Sequence, residues 1–380
     1  MSKPATPAPT LGQIRKAIPD HCFQPSTLRS GSHIVFDLAL AGTLGYVAYT
    51  HIPGVQSTLL RYALWATYGY VQGLVGTGIW ILAHECGHGA LFANRVVCDV
   101  LGWMMHSMLL VPYFSWKFSH ARHHRYTNHM EKDTAFVPSR TNEASMISRA
   151  LGLLEHMEDA PLYTVVELLA HQLLGWPAYM FFYASGGEKS APRGLPKSMF
   201  ARSHYDPTSK VFTAREQLFV LLSDIGLCLT LSALYVLSRY VGVQNVLLLY
   251  VVPYLWVNNW LVAITYLHHT HESTLHFEAD SWTFTEGALN TIDRPYGFVG
   301  KYLFHGIIDC HVVHHLFTRI PFYHAEEATE AIKPVLGDRY IVDDTPFYTA
   351  LWRTMRSCRF VEASKDQLGA LTWGKRVKVE

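Results

Sequence analysis

The sequence predicts an all-α integral membrane protein, a single domain over residues 1–380. Four transmembrane helices are joined by interfacial or re-entrant helices and carry a cytosolic histidine-rich cap. Three observations carry this. Hydrophobic residues make up 49% of the chain and charged ones only 16%, against about 25% in soluble proteins. Uncharged runs recur at the length a helix needs to cross a bilayer. Twenty-two histidines are present, and eight of them fall in three short clusters. The 31 lysines and arginines nearly cancel the 30 aspartates and glutamates, so no global field draws nucleic acid, and 13% aromatic content argues against intrinsic disorder.

In chain order, residues 1–32 mix proline, charged and polar side chains without a continuous apolar core, so no cleavable signal peptide is expected and the tail stays cytosolic. A first span is expected over about 33–50, with Asp37 near its start, and a second over 62–83. The latter is an uncharged run of 22 residues, about 33 Å as a helix. Spans over 217–238 and 240–267 follow, the third interrupted only by Asp224, with Arg239 between them, so they form an antiparallel hairpin. Two weaker stretches, Val100 to Trp116 and Leu168 to Ser185, hold His106 and Pro112 and His171 and Pro177. The six cysteines show no CxxC or regular spacing, which points to a reducing face rather than a disulfide framework.

Parity sorts the stretches. If the histidine clusters beginning at His84, His120 and His311 meet, an even number of crossings separates each pair. Val100 to Trp116 therefore lies in the interface or re-enters, and Leu168 to Ser185 does not span. The clusters then fall in two cytosolic regions, 84–216 and 268–380. Positive charge tests the arrangement independently: 29 lysines and arginines fall on the clustered side and two, Arg61 and Arg239, on the other.

At the end of the second expected span stands His84-Glu-Cys-Gly-His88, whose i, i+4 spacing sets both imidazoles on one helical face, as two ligands to one metal require. His120-Ala-Arg-His123-His124 and His311-Val-Val-His314-His315 repeat an HxxHH pattern. Any single histidine is explained by a boundary residue bonded to water or a carbonyl; eight in three matched clusters are not. Eight imidazoles exceed the four ligands of a closed zinc site, so two metals are the economical count. No thiolate cluster accompanies them, which leaves two irons or two zincs. A site beneath apolar helices is placed for a lipid chain, whose unactivated methylenes offer no carbonyl or ester for Lewis-acid chemistry. Breaking that C–H bond needs a redox metal and dioxygen, so iron fits. Extra ligands are sought among His268, His269, His271 and His305; His269 is favoured and His305 is a candidate supporting partner, as are Asp309 and Glu85.

These motifs resemble the membrane-bound fatty acyl desaturases, within them the plant and fungal acyl-lipid Δ12 (oleate) and ω-3 group. The resemblance covers nearly the whole chain: AIPDHCFQPSTLRS, AHECGHGA, WKFSHARHHRYTNHMEKDTAFVP, TYLHHTH, TIDRPYGF and LFHGIIDCHVVHHLFTRIPFYHAEEATEAIKPVLG. It implies a di-iron centre of two Fe ions on the cytosolic face of the endoplasmic reticulum membrane, held by the eight clustered histidines. Dioxygen as co-substrate and two electrons remove two hydrogens from an acyl chain, here to place a Δ12 double bond in an oleoyl lipid. By the same resemblance the electrons come from cytochrome b5 and its NADH-dependent reductase. Three positions depart from the plant oleate pattern: Gly89 follows His88, His268 precedes His269 in the manner of the ω-3 branch, and Cys310 stands where Thr is common. Changes beside the metals keep ω-3 desaturase, hydroxylase, acetylenase and conjugase activities as alternatives. A histidine-rich metal transporter would need ionisable residues along its spans, where only Asp37 and Asp224 place a carboxylate. Bis-histidine haem ligation would leave most clustered histidines unused.

Overall fold

A computed structural model describes residues 8–140, 161–365 and 367–374. Residues 1–7 of the expected tail, 141–160 of the first expected cytosolic region, and 366 and 375–380 of the second lie outside the described residues. The first helix, α1 (Leu11–Ala17), opens with a capping box in which the Thr10 hydroxyl accepts from the Gln13 backbone N–H and the Gln13 side chain accepts from the Thr10 N–H. Ile14, Ile18 and Cys22 then bury this segment in the main core.

Among the described residues, three helices are long and apolar enough to cross a membrane: α2 (Thr27–His51, extended by one tight turn to Gly54), α7 (Gln217–Val241) and α8 (Val243–His269). The first two contain the expected spans at 33–50 and 217–238, and α8 covers the expected span 240–267 from Val243 onward. The break in the hairpin falls at Gly242 rather than Arg239, because Gly242 takes φ +85° and its N–H closes on the Ser238 carbonyl. Within α8 a π-helical stretch, Leu247–Val251, precedes Pro253, which has no N–H to give the ladder.

The expected span 62–83 lies within α3 (Thr58–His88), which does not join that set. This helix of 31 residues is about 46 Å long, yet every residue from Gly73 to Cys86 is buried inside the protein. It packs between α2, α8 and α4 (Arg95–Met108). Its glycines carry the close approach to α8: a Cβ at Gly69, Gly73 or Gly76 would run into Val252, Trp256 or Val257. The glycines that permit this packing also dilute its apolarity, which an uncharged run alone does not reveal.

Helix α4 and α5 (Tyr113–Tyr126) are bent by 109° across a break that contains Leu110 in the left-handed region and Pro112, which accounts for the weak stretch Val100 to Trp116. The other weak stretch falls in α6 (Pro161–Phe182), which lies along α8 with Gly175 against Val262 and is not apolar enough to join the three. Short helices α9 (Phe284–Leu289) and α10 (His311–Leu316) and longer α11 (Phe322–Leu336) and α12 (Phe347–Ser357) build the C-terminal cap. The all-α expectation needs one correction here. A three-stranded antiparallel sheet runs in the order β1 (His276–Phe277), β3 (Ala370–Trp373), β2 (Val361–Ala363). Its register pairs Phe277 with Ala370 and Val361 with Trp373. The strands are two to four residues long, too short to show a period-2 pattern in sequence.

Candidate metal centre

Helix α3 delivers the first two histidines at its last turn. Gly89, in the left-handed region at φ +68°, stops the helix by closing its N–H on the Cys86 carbonyl while Ala90 N–H reaches Glu85. That is the local reason for glycine after His88. His84 Nε2 and His88 Nε2 lie 3.2 Å apart. On α5, His120 Nε2 and His124 Nε2 lie 2.9 Å apart one helical turn from each other. His314 of α10 completes this group: one donor atom from each of His84, His88, His120, His124 and His314 falls within 4.8 Å of all the others.

The middle histidine of α5 belongs to a second group. His123, His269 and His315 bring donor atoms within 4.8 Å of one another, and His269 Nε2 is 3.2 Å from both His123 Nε2 and His311 Nε2. The two groups meet where the rings of His124 and His315 stack at 4.1 Å between centroids. All eight clustered histidines and His269 therefore converge. His268 turns away, facing the Ile264 and Ile308 carbonyls at 2.6 and 2.7 Å. His271 faces Asp343, and His305 pairs with Asp37 at 2.8 Å rather than with either group.

These residues fit a pair of transition-metal ions. Both ring nitrogens of His314 and Nε2 of His315 are buried without a hydrogen-bond partner, and the Nε2 atoms of His84 with His88 and of His269 with His311 lie 3.2 Å apart, close enough for one ion to take a lone pair from each. Burial first, and neighbouring imidazoles second, hold His88, His311, His314 and His315 well below the ordinary histidine value, so they are neutral donors at physiological pH.

Supporting side chains fix which nitrogen faces inward. His123 Nδ1–H donates to Asp133 Oδ1 at 2.6 Å, and the Asp133 carboxylate also accepts the N–H groups of Asn128 and Ala135. Thr127 Oγ1 donates to the His123 carbonyl and accepts from His315 Nδ1 at 3.1 Å. Glu85 is fully buried, with Oε1 3.3 Å from His84 Nδ1 and 3.8 Å from His314 Nδ1. Asp293 accepts the Val312 N–H at 2.7 Å, which holds α10 in place, while Arg294 bonds the Leu267 carbonyl beside His268 and His269. Asp309, expected as a supporting partner, instead accepts the Tyr296 N–H, and Cys310 is buried.

Asp133, Asp293 and Thr127 are missed by reasoning from histidine spacing. Asp133 and Asp293 sit within the segments MEKDTAFVP and TIDRPYGF, but a lone aspartate carries no periodic signal. A cavity of about 460 Å³ opens onto both groups. His84, His120, His123, His269, His311 and His314 are part of its lining, and Trp80, Trp116, Phe136, Leu174, Leu261 and Ile308 are among its apolar side chains.

Comparison with known proteins agrees with this geometry. The sequence model of the family described as fatty acid desaturase matches residues 60–347. The chain is 44% identical over 376 residues to an oleate hydroxylase of Claviceps purpurea, covering 95% of this chain and 79% of that protein. It is 41% identical over 368 residues to a Δ12 fatty acid desaturase of Mortierella alpina, covering 94% and 89%. It is also 44% identical over 353 residues to an omega-6 fatty acid desaturase, endoplasmic reticulum isozyme 1, of Glycine max, covering 93% and 86%.

Proposed function

The chain belongs to the fatty acid desaturase family, and from that premise we propose that it inserts a Δ12 double bond into an oleoyl lipid to give a linoleoyl lipid. Two neighbouring methylenes each lose one hydrogen; dioxygen, two electrons and two protons are consumed and two waters form. The observation that carries the reading is the cavity, apolar along most of its wall and lined by imidazoles of both groups. In the proposed assignment His84, His88, His120, His124 and His314 hold one iron and His123, His269, His311 and His315 the other. Bound iron supplies the redox chemistry with dioxygen that an unactivated C–H bond requires.

The chain's own part is positioning. Trp116 stacks on His120 at 4.3 Å and Phe136 on His269 at 5.9 Å, so the lining that grips the acyl chain also packs the imidazoles in place. The apolar wall excludes water, and its shape decides which carbons stop beside the histidines. Asp133, Thr127 and Asp293 keep the donor nitrogens aimed inward through their hydrogen bonds to His123, His315 and the start of α10.

The same reading places a single membrane domain over 1–380 in the endoplasmic reticulum membrane, with α3 as a fourth crossing beside the three apolar helices. The bent α4–α5 pair re-enters, and the cap and both termini are cytosolic. The 29-to-2 distribution of positive charge supports this orientation. Electrons are then supplied by cytochrome b5 and its NADH-dependent reductase.

Expression in a yeast that makes no polyunsaturated lipids, followed by fatty-acid methyl ester analysis, tests the proposal. Methyl linoleate is expected; an unchanged profile from folded, iron-loaded protein refutes it. The 44% identity to an oleate hydroxylase favours a second reading, delivery of a hydroxyl to the same region of the chain. A 12-hydroxy ester in the same analysis identifies it.

A further inference from the structure

A second kind of donor cluster lies away from the cavity lining. A short 3-10 turn, Asp20–Phe23, places His21 and Cys22 side by side, held by the Cys22 N–H on the Pro19 carbonyl and the Gln24 N–H on the His21 carbonyl. Opposite, α11 carries His324 and Glu327 at i, i+3 on one face of its first turns. One donor atom from each of the four residues lies within 4.8 Å of every other. His21 Nε2 is 2.9 Å from Glu327 Oε2 and 3.8 Å from Cys22 Sγ, and His324 Nδ1 is 4.0 Å from Glu327 Oε2.

These separations bracket the edges of a tetrahedron around one ion. Metal bonds of about 2.0–2.2 Å to nitrogen and oxygen and about 2.3 Å to sulfur put neighbouring ligands about 3.3–3.6 Å apart. An ordinary ion pair would involve only His21 and Glu327, whose side chains are 54% and 49% exposed, and such a pair contributes little in water. It leaves unexplained why a fully buried thiol and a second imidazole converge on the same point.

We propose that His21, Cys22, His324 and Glu327 form a third metal site, of structural zinc type, separate from the nine-histidine centre. Thiolate, imidazole and carboxylate together are a zinc donor set, four ligands close the coordination shell, and none is left for substrate. On binding, the Cys22 thiol releases its proton to solvent and the thiolate and Glu327 carboxylate together balance the divalent charge. The consequence is mechanical. The site ties the N-terminal segment, already packed through Ile14 and through Phe23 edge-on to Phe317, to the helix that follows the last histidine cluster. Ser26 N–H donating to the Tyr323 hydroxyl at 2.7 Å and Arg29 over the Tyr323 ring continue the same seam.

The test is metal analysis of the full-length protein purified in detergent. About one zinc per chain is expected besides the iron, with loss of the zinc and retention of the iron in Cys22→Ser and in Glu327→Gln. Exchange into cobalt(II) should give a thiolate-to-cobalt charge-transfer absorption, absent from Cys22→Ser. The wild-type cobalt spectrum needs no substitution, so what it reads does not depend on a variant folding. Wild-type protein with no zinc and no thiolate–cobalt band overturns the site, as does zinc that persists in both variants, which would place it among the histidines instead.

Discussion

Replacing Asp133 by asparagine removes a charge from the middle of the proposed centre while keeping its shape. Asp133 is 3% exposed and accepts three hydrogen bonds, from His123 Nδ1–H at 2.6 Å, Ala135 N–H at 3.1 Å and Asn128 N–H at 2.8 Å. An asparagine can accept through one oxygen only. With its oxygen on the His123 side, the amide NH2 confronts the Asn128 N–H; with the reverse orientation, it confronts His123 Nδ1 and drives the ring proton to Nε2, the atom 3.2 Å from His269 Nε2. Either choice strands a buried donor, at about 1–3 kcal/mol. Loss of such a supporting carboxylate lowers metal affinity by about 10–100-fold, or about 1.4–2.7 kcal/mol. The assay is iron retained per chain after a graded chelator challenge, run beside methyl ester analysis. Asp133→Asn should release iron at a chelator concentration about 10–100-fold lower than wild type and make little product. Iron held as tightly as in wild type would refute the claim that Asp133 sets the His123 tautomer for ligation.

Four further outcomes follow from the same geometry. His269→Ala should abolish turnover and lower iron content, whereas His271→Ala, whose ring faces Asp343 and Arg353, should keep most of both; equal losses would contradict the division of roles. Ala178→Phe, on the cavity wall contributed by α6, should shift preference toward shorter acyl chains in yeast fed a series of fatty acids, and an unchanged series would separate the cavity from the substrate path. Gly78→Ala would drive a Cβ onto the Leu303 carbonyl and within 3.1 Å of Asp37 Oδ2, costing about 1–3 kcal/mol and lowering the melting temperature measured in detergent. The metal-free protein should lose stability as pH falls. His314 and His315 are 2% and 1% exposed and held well below the ordinary 6.5, so below that pH the unfolded chain takes up protons that the folded one refuses, at about 1.4 kcal/mol per pH unit for each. Thermal melts of chelated protein from pH 8 down to pH 5.5 should therefore fall below about 6.5 and be flat above it, and a flat profile throughout would show that these imidazoles are not buried neutral.

What the sequence makes legible is whatever has a period or a repeat. The i, i+4 and HxxHH spacings mark eight histidines that the fold brings together, and the charge-poor runs mark the three helices that are long and apolar enough to cross a membrane among the described residues. His269 is within reach of the sequence because TYLHHTH begins at the end of an apolar run, but its choice over His268 depends on which ring faces the Ile308 carbonyl, a tertiary fact. Helix α3 shows the opposite limit. Charge counting cannot tell a helix buried against protein from one facing lipid, since both exclude charge; only the glycines facing Val252, Trp256 and Val257 distinguish them. Asp133 acts through hydrogen bonds to neighbours without helical spacing, Asp293 reaches across to Val312 of α10, and His21 with Cys22 meets its partners about three hundred residues away.

The central claim is that nine imidazoles hold two irons that perform the oxidation. Iron K-edge X-ray absorption on purified enzyme of measured turnover tests it most directly, with iron normalised to protein. The account predicts two irons per chain, each with a first shell of imidazole nitrogens and without sulfur. Full turnover from protein holding one iron or none, or a sulfur scatterer at the iron, would contradict it.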